Sequence, residues 1–169
     1  WDAKPEYFHY HGAGYYRRHI TLPRRSHALI TFEGVSGRAT VFFDGRKVGE
    51  HSGTFTPFET LVRNCPAGEH ELVVRVDNDH SGLAVLPQYP CDWFHYGGIV
   101  RPVELALLGD VWIRGLRIAA TFRGAMVQPR VELEFANLSR RVRREMCTIE
   151  LDGSPAAFPI ERSEEHTSE

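Results

Sequence analysis

One carboxylate, Asp92, stands directly before Trp93, Phe94 and Tyr96 in the run CDWFHYGGIVRPVEL (91–105). A carboxylate offers several acceptor sites for hydroxyl donors, and such charge-assisted bonds are stronger than neutral ones. Three rings beside it would dry the contact and stiffen the backbone, and Gly97 and Gly98 allow a tight bend into the next apolar run. The alternative is an Asp that only caps a turn. Other residues with chemical potential carry less. His9, His11 and His95 could gather as metal ligands, but no zinc-site spacing is present and no metal is expected. Gly12 and Gly14 open a strand-like run rather than a helix, so they make no dinucleotide fingerprint. No GxSxG elbow occurs. Glu33, Glu50, Glu59 and Glu104 fall in strand patterns as solvent-facing positions, so no pair of catalytic carboxylates is expected, and no cofactor is called for.

The elements that must position Asp92 are strands. Apolar residues recur with a period of two. Tyr16, Ile20 and Leu22 share one face while Arg17, His19 and Thr21 share the other. Ile30 and Phe32 alternate with Thr31 and Glu33. Ala39, Val41 and Phe43, then Leu72, Val74 and Val76, then Val103, Leu105 and Leu107, make three more inward faces. Half-buried antiparallel strands have this pattern. Asp44-Gly45 is a strong two-residue hairpin signal, and Pro57 must sit at a strand start or an edge. Phe55 and Phe58 are expected to pack beneath the loop that carries them. With no amphipathic helix in the pattern, the chain reads as an all-β sandwich of the jelly-roll kind.

A boundary falls near Leu108-Gly109-Asp110. Beyond it three or four more strands follow, with Val131, Leu133 and Phe135 on one apolar face and Cys147, Ile149 and Leu151 on another. This is about half of the ~7 strands of an immunoglobulin-like sandwich, so a truncated second domain is expected over 110–161. The polar run RSEEHTSE (162–169) breaks the strand pattern; it resembles a translated sequencing adapter, the alternative being a disordered linker. The chain begins at Trp1 rather than Met and is expected to be a piece of a longer protein.

Composition narrows the function classes. In 169 residues the charged fraction is 25% and the formal net charge −2, which gives no nucleic-acid footprint and no membrane-surface field. The arginines at 140, 141, 143 and 144 read as a solvated turn. No apolar run approaches the ~20 residues of a membrane span. Cys65, Cys91 and Cys147 are too few and too scattered for a disulfide framework, which favours a cytoplasmic over a periplasmic or secreted setting.

The segments GYYRRHITLP (14–23), ALITFEGVSGRATVFFDGRKVGEHSGTFTPFE (28–59), AGEHELVVRVDN (67–78) and DWFHYGGIVRPVEL (92–105), in that order, closely resemble the N-terminal sugar-binding domain of family 2 glycoside hydrolases. The β-galactosidase and β-glucuronidase branches are nearest. The resemblance implies a galactose-binding-like jelly roll over 1–108, an immunoglobulin-like domain next, and then a TIM barrel with the catalytic glutamates, which this sequence lacks. It implies that Asp92 reaches into the barrel's active site and hydrogen-bonds sugar hydroxyls, with Trp93 and Tyr96 as weaker contacts. Family members often carry Asn after the residue equivalent to Trp1; here Asp2 stands there, a departure that weakens its assignment as a substrate contact. The implied partners are a β-glycoside or oligosaccharide, the barrel of the same chain, and a second copy in a homo-oligomer. The implied parent is a retaining exo-β-glycosidase, this piece alone being inactive. The competing readings are a free-standing carbohydrate-binding module, in which Trp93 and Tyr96 stack on a sugar unaided, and an architectural domain that buttresses an oligomer.

Overall fold

The computed structural model describes residues 10, 12–79, 96–124, 126–151 and 154–160. All of its regular elements are strands: β1 (Ala13–Leu22), β2 (Ser26–Phe32), β3 (Val35–Phe43), β4 (Arg46–Gly53), β5 (Phe58–Cys65), β6 (Gly68–Asp77), β7 (Gly98–Ile99), β8 (Val103–Leu108), β9 (Val111–Arg123), β10 (Met126–Asn137), β11 (Glu145–Leu151) and β12 (Ser154–Ile160). The chain divides into two compact units, one ending at Leu108 and the other beginning at Gly109.

The first unit is a sandwich of two antiparallel sheets. One has the order β1-β6-β3-β4, with β7 added to β3; the other has the order β5-β2-β8. The period-two faces meet between them. Ala28, Ile30 and Phe32 of β2 face Ala39, Val41 and Phe43 of β3 and Leu72, Val74 and Val76 of β6, and all are buried. In register, Val41 pairs with Val74 and Ala39 with Val76, so identical faces line up across the sheet. Asp44 and Gly45 turn the β3–β4 hairpin with φ of 49° and 74°, the positive values such a turn requires. Pro57 lies immediately before β5, where its missing N–H costs no ladder bond.

Two expectations need correction. Phe58 does pack inward, stacked on buried Phe32 with centroids 4.6 Å apart, but Phe55 is 62% exposed. Its ring lies instead under the guanidinium of Arg101. Leu107 packs against the core, whereas Val103 and Leu105 remain partly exposed. They lie on β8, an edge strand bonded only to β2, so the opposite sheet covers just one end of that face.

The second unit consists of two antiparallel hairpins, β9–β10 and β11–β12. The first is a two-faced ribbon. Leu116 pairs with Leu133 and Ile118 with Val131 on one side, while Arg117 opposes Glu132 on the other. Leu116, Ile118 and Phe122 are exposed, and Leu138 is the one buried apolar residue of this unit among the described residues. Arg140, Arg141, Arg143 and Arg144 are exposed as expected, with Arg143 paired to Asp110.

Candidate functional site

Residues 80–95, which include Asp92, connect β6, an interior strand of the five-stranded sheet, to β7 and β8. Asp2, Asp92 and Trp93 lie outside the described residues, as do His9, His11, His95 and the tail 162–169. Tyr96 is described and is half-exposed, on the returning limb. What the structure defines is the neck between the two limbs.

The outgoing limb is set by its last side chains. The even positions of β6 point into the core, and Asn78 continues that series after His70, Leu72, Val74 and Val76. It is only 6% exposed. Burying an amide costs free energy unless it is hydrogen-bonded, and here it is. Its Oδ1 accepts from the Gly12 N–H at 2.7 Å, and its Nδ2 donates to the Tyr10 carbonyl, also at 2.7 Å. Its backbone N–H donates to the Gly12 carbonyl. Next to it, the Asp77 carboxylate accepts from Arg75 on one oxygen and from the Asp79 N–H on the other.

The returning limb presses directly on this amide. A Cβ placed at Gly97 would come within 2.1 Å of the Asn78 Cβ, and one at Gly37, whose φ is +115°, within 2.3 Å of the Asp77 carbonyl oxygen. Glycine is required at both positions because no other side chain allows so close an approach. Downstream, β7 pairs with β3 through Val35 and Ser36. Val100 and Arg101 then donate their N–H groups to the Gly34 carbonyl, and Pro102 accepts from Glu33. From there β8 pairs with β2. The limb thus crosses from one sheet to the other around the β2–β3 corner. The Arg101 side chain fastens it further, donating to the Phe55 carbonyl at 3.2 Å.

A second polar cluster closes the other end of β6. His70, 5% exposed, places Nδ1 2.7 Å from Asp44 Oδ2 and Nε2 3.0 Å from the Pro66 carbonyl. Both ring nitrogens face acceptors, so both must carry protons for the site to be satisfied. The hydrogen bond to Asp44, then that to Pro66, hold the His70 pKa above its ordinary value. Burial pushes Asp44 upward, but the His70 hydrogen bond, the Glu71 amide and the charges of His70 and Arg46 outweigh it and leave its pKa below the ordinary value. The ring of Phe43 covers the imidazole. This cluster ties the hairpin turn to β6.

The Cys65 thiol is buried, which pushes its pKa up and leaves it unreactive. Glu59 and Glu104 flank Thr31 on the outer face of the three-stranded sheet. Two strand spacings, roughly 10 Å, separate their backbones, and Glu59 accepts from the Thr31 hydroxyl between them at 3.5 Å. No group of three metal-ligating side chains converges among the described residues. Asn78 was not among the residues that the sequence marked. Its signal was there, an amide occupying the inward position of an otherwise apolar alternation.

The described strands define the first unit as an all-β, two-sheet sandwich. Residues 3–108 match the model of the glycosyl hydrolases family 2 sugar binding domain, and the chain belongs to that family. It is 33% identical over 107 residues to a β-galactosidase of Thermoanaerobacterium thermosulfurigenes, covering 61% of this chain and 15% of that protein. It is 29% identical over 120 residues to a β-glucuronidase of Streptococcus agalactiae serotype V, covering 58% of this chain and 20% of that protein. Among solved structures, the family 2 β-galacturonidase of Eisenbergiella tayi bound to galacturonate superposes with a TM-score of 0.78 at 28% identity, over 95% of this chain and 29% of that one. The chain therefore spans less than a third of the length of each of these relatives.

Proposed function

We propose that this chain is the amino-terminal part of a retaining exo-β-glycosidase that acts on terminal β-galactosides or β-uronides. Residues 1–108 form its sugar-binding jelly roll and residues 110–161 the start of an immunoglobulin-like sandwich. Asp92 hydrogen-bonds hydroxyls of the non-reducing sugar, with Trp93 and Tyr96 shaping the contact and Asp2 a secondary candidate. The acid/base and nucleophile carboxylates reside in a barrel domain of the same protein. One observation carries this reading: residues 3–108 match the sugar binding domain of glycosyl hydrolases family 2, and the described part of that stretch folds as a two-sheet sandwich.

The test is Asp92→Ala in the full-length enzyme. Loss of a charged hydrogen bond to substrate costs about 2–4 kcal/mol in kcat/KM, roughly 30- to 1,000-fold. Unchanged kcat/KM on β-galactosides, β-glucuronides and β-galacturonides alike would overturn the assignment. The chain alone is expected to hydrolyse none of them. Tight binding of a free oligosaccharide by the chain alone would instead favour a free-standing binding module.

A further inference from the structure

We propose that the second unit carries a binding site for a carboxylate-bearing oligosaccharide, in the hollow between β9, β10 and β11 and on the arginine loop beside it. The proposal rests on the reading of the parent enzyme as a glycosidase of β-uronides. The hollow has a volume of about 570 Å³, within the ~300–1,000 Å³ range of small-molecule sites. Trp112, Ile113, Phe135 and Met146 give it apolar walls, and Ile113 pairs with Phe135 across the β9–β10 ladder. Ile113 and Met146 are both at least half exposed, so the hollow opens to solvent. The Trp112 indole N–H is buried and has no acceptor among the described residues. A buried donor without a partner costs free energy, and a sugar oxygen supplies the missing acceptor.

The charge comes from the loop between β10 and β11, SRRVRR (139–144). Arg143 lines the hollow and is spent on Asp110, whose carbonyl also accepts from the Leu138 N–H at 2.7 Å. Asp110 thus holds both ends of the loop. Inside it, the Asn137 amide donates to the Arg141 carbonyl at 2.9 Å. The Ser139 N–H donates to Asn137 Oδ1 at 3.0 Å, and the Arg141 N–H to the Ser139 hydroxyl at 3.3 Å. Arg140, Arg141 and Arg144 are exposed and have no ion-pair partner among the described residues. A turn that is only solvated needs no such bracing, and unpaired guanidinium groups held in one loop repel each other. An anion relieves that repulsion, and the guanidinium fork matches a carboxylate. A net charge of −2 gives no extended basic face for a nucleic acid, whereas apolar walls with one buried donor suit a sugar ring. The anion these features fit best is a uronate.

The experiment takes the full-length enzyme with its active site trapped as the covalent 2-deoxy-2-fluoroglycosyl adduct, and titrates it with tetragalacturonate by calorimetry. Binding at a single site per chain is expected, with neutral maltotetraose weaker by about tenfold or more. The triple variant Arg140→Gln, Arg141→Gln, Arg144→Gln is expected to weaken binding about tenfold, as for three exposed ion pairs. Arg117→Gln, on the β9–β10 ribbon, should change it less than about twofold. Trp112→Phe keeps a ring and removes the donor: affinity should fall about three- to tenfold. Its Tm should not fall, because that N–H has no partner to lose before the ligand arrives. No binding of tetragalacturonate to the trapped enzyme overturns the proposal, as does wild-type affinity in the triple variant or an equal loss from Arg117→Gln. A lowered Tm in Trp112→Phe without loss of affinity also overturns it, since another part of the protein would then fill the hollow. Tighter binding of tetrathymidylate than of tetragalacturonate overturns the assignment to a sugar. If no 2-fluoroglycosyl fluoride traps the enzyme, the glycosidase reading itself falls, and this site with it.

Discussion

The two ends of β6 solve one problem with opposite chemistry. At each end the inward register reaches a polar residue where the apolar core stops. At His70 the end is charged: an imidazole, a carboxylate and a carbonyl lock a hairpin turn. At Asn78 the end is neutral: an amide and backbone groups lock the root of the segment that carries Asp92. The first depends on pH through its own titration, and the second has no proton to lose.

The largest break in this contrast is expected from Gly37→Ala. Its Cβ would meet the Asp77 carbonyl at a left-handed backbone position, and the unfolding free energy should fall by about 2–4 kcal/mol in urea denaturation. Asn78→Ala comes next: it strands the Gly12 N–H and the Tyr10 carbonyl, for a loss of about 1–3 kcal/mol. A loss below about 0.5 kcal/mol would show that water replaces the amide freely.

The charged end is tested by pH. The folded pKa of His70 lies above 6.5, so its contribution is complete below that value and fades as pH rises through the folded one. Asp44 is depressed below 3.8, so its contribution is present above that value and fades as pH falls through the folded one. The pair therefore stabilises most between about pH 4 and 6.5. Wild-type stability should decline from pH 6 to 9, and Asp44→Asn should flatten that decline. An equal slope in both proteins would show that His70 does not hold its second proton. Asn78→Asp should do the reverse and give the neutral end a pH dependence of its own, since a buried carboxyl titrates upward. The smallest effect belongs to Lys47→Ala. That ion pair with Glu50 is exposed on both sides, so its loss should leave the urea midpoint unchanged.

The sandwich was largely legible because alternation is local. Ala39, Val41 and Phe43 point the same way whatever strand lies beside them, and Asp44-Gly45 demands its turn unaided. The errors lie where a neighbour decides. Val103 and Leu105 alternate correctly, yet β8 sits at an edge, so their face is only half covered. Phe55 reads as a core aromatic until Arg101, 46 residues away, takes it as a platform. Asn78 and His70 stand in the inward register in plain view. Their roles depend on Gly12, Gly97, Asp44 and Pro66, which only long-range pairing brings near. Asp92 rests on the family resemblance alone, while the contacts of Asn78 with Gly12, Tyr10 and Gly97 could be read only from the folded chain.

Each limb has its own ladder: β6 is held by β1 and β3, and β7 and β8 by β3 and β2. Asp77 pairs with Arg38 and Gly98 with Ser36, so two points far apart in sequence are tethered to one short stretch of β3, and a change in that stretch is felt at both.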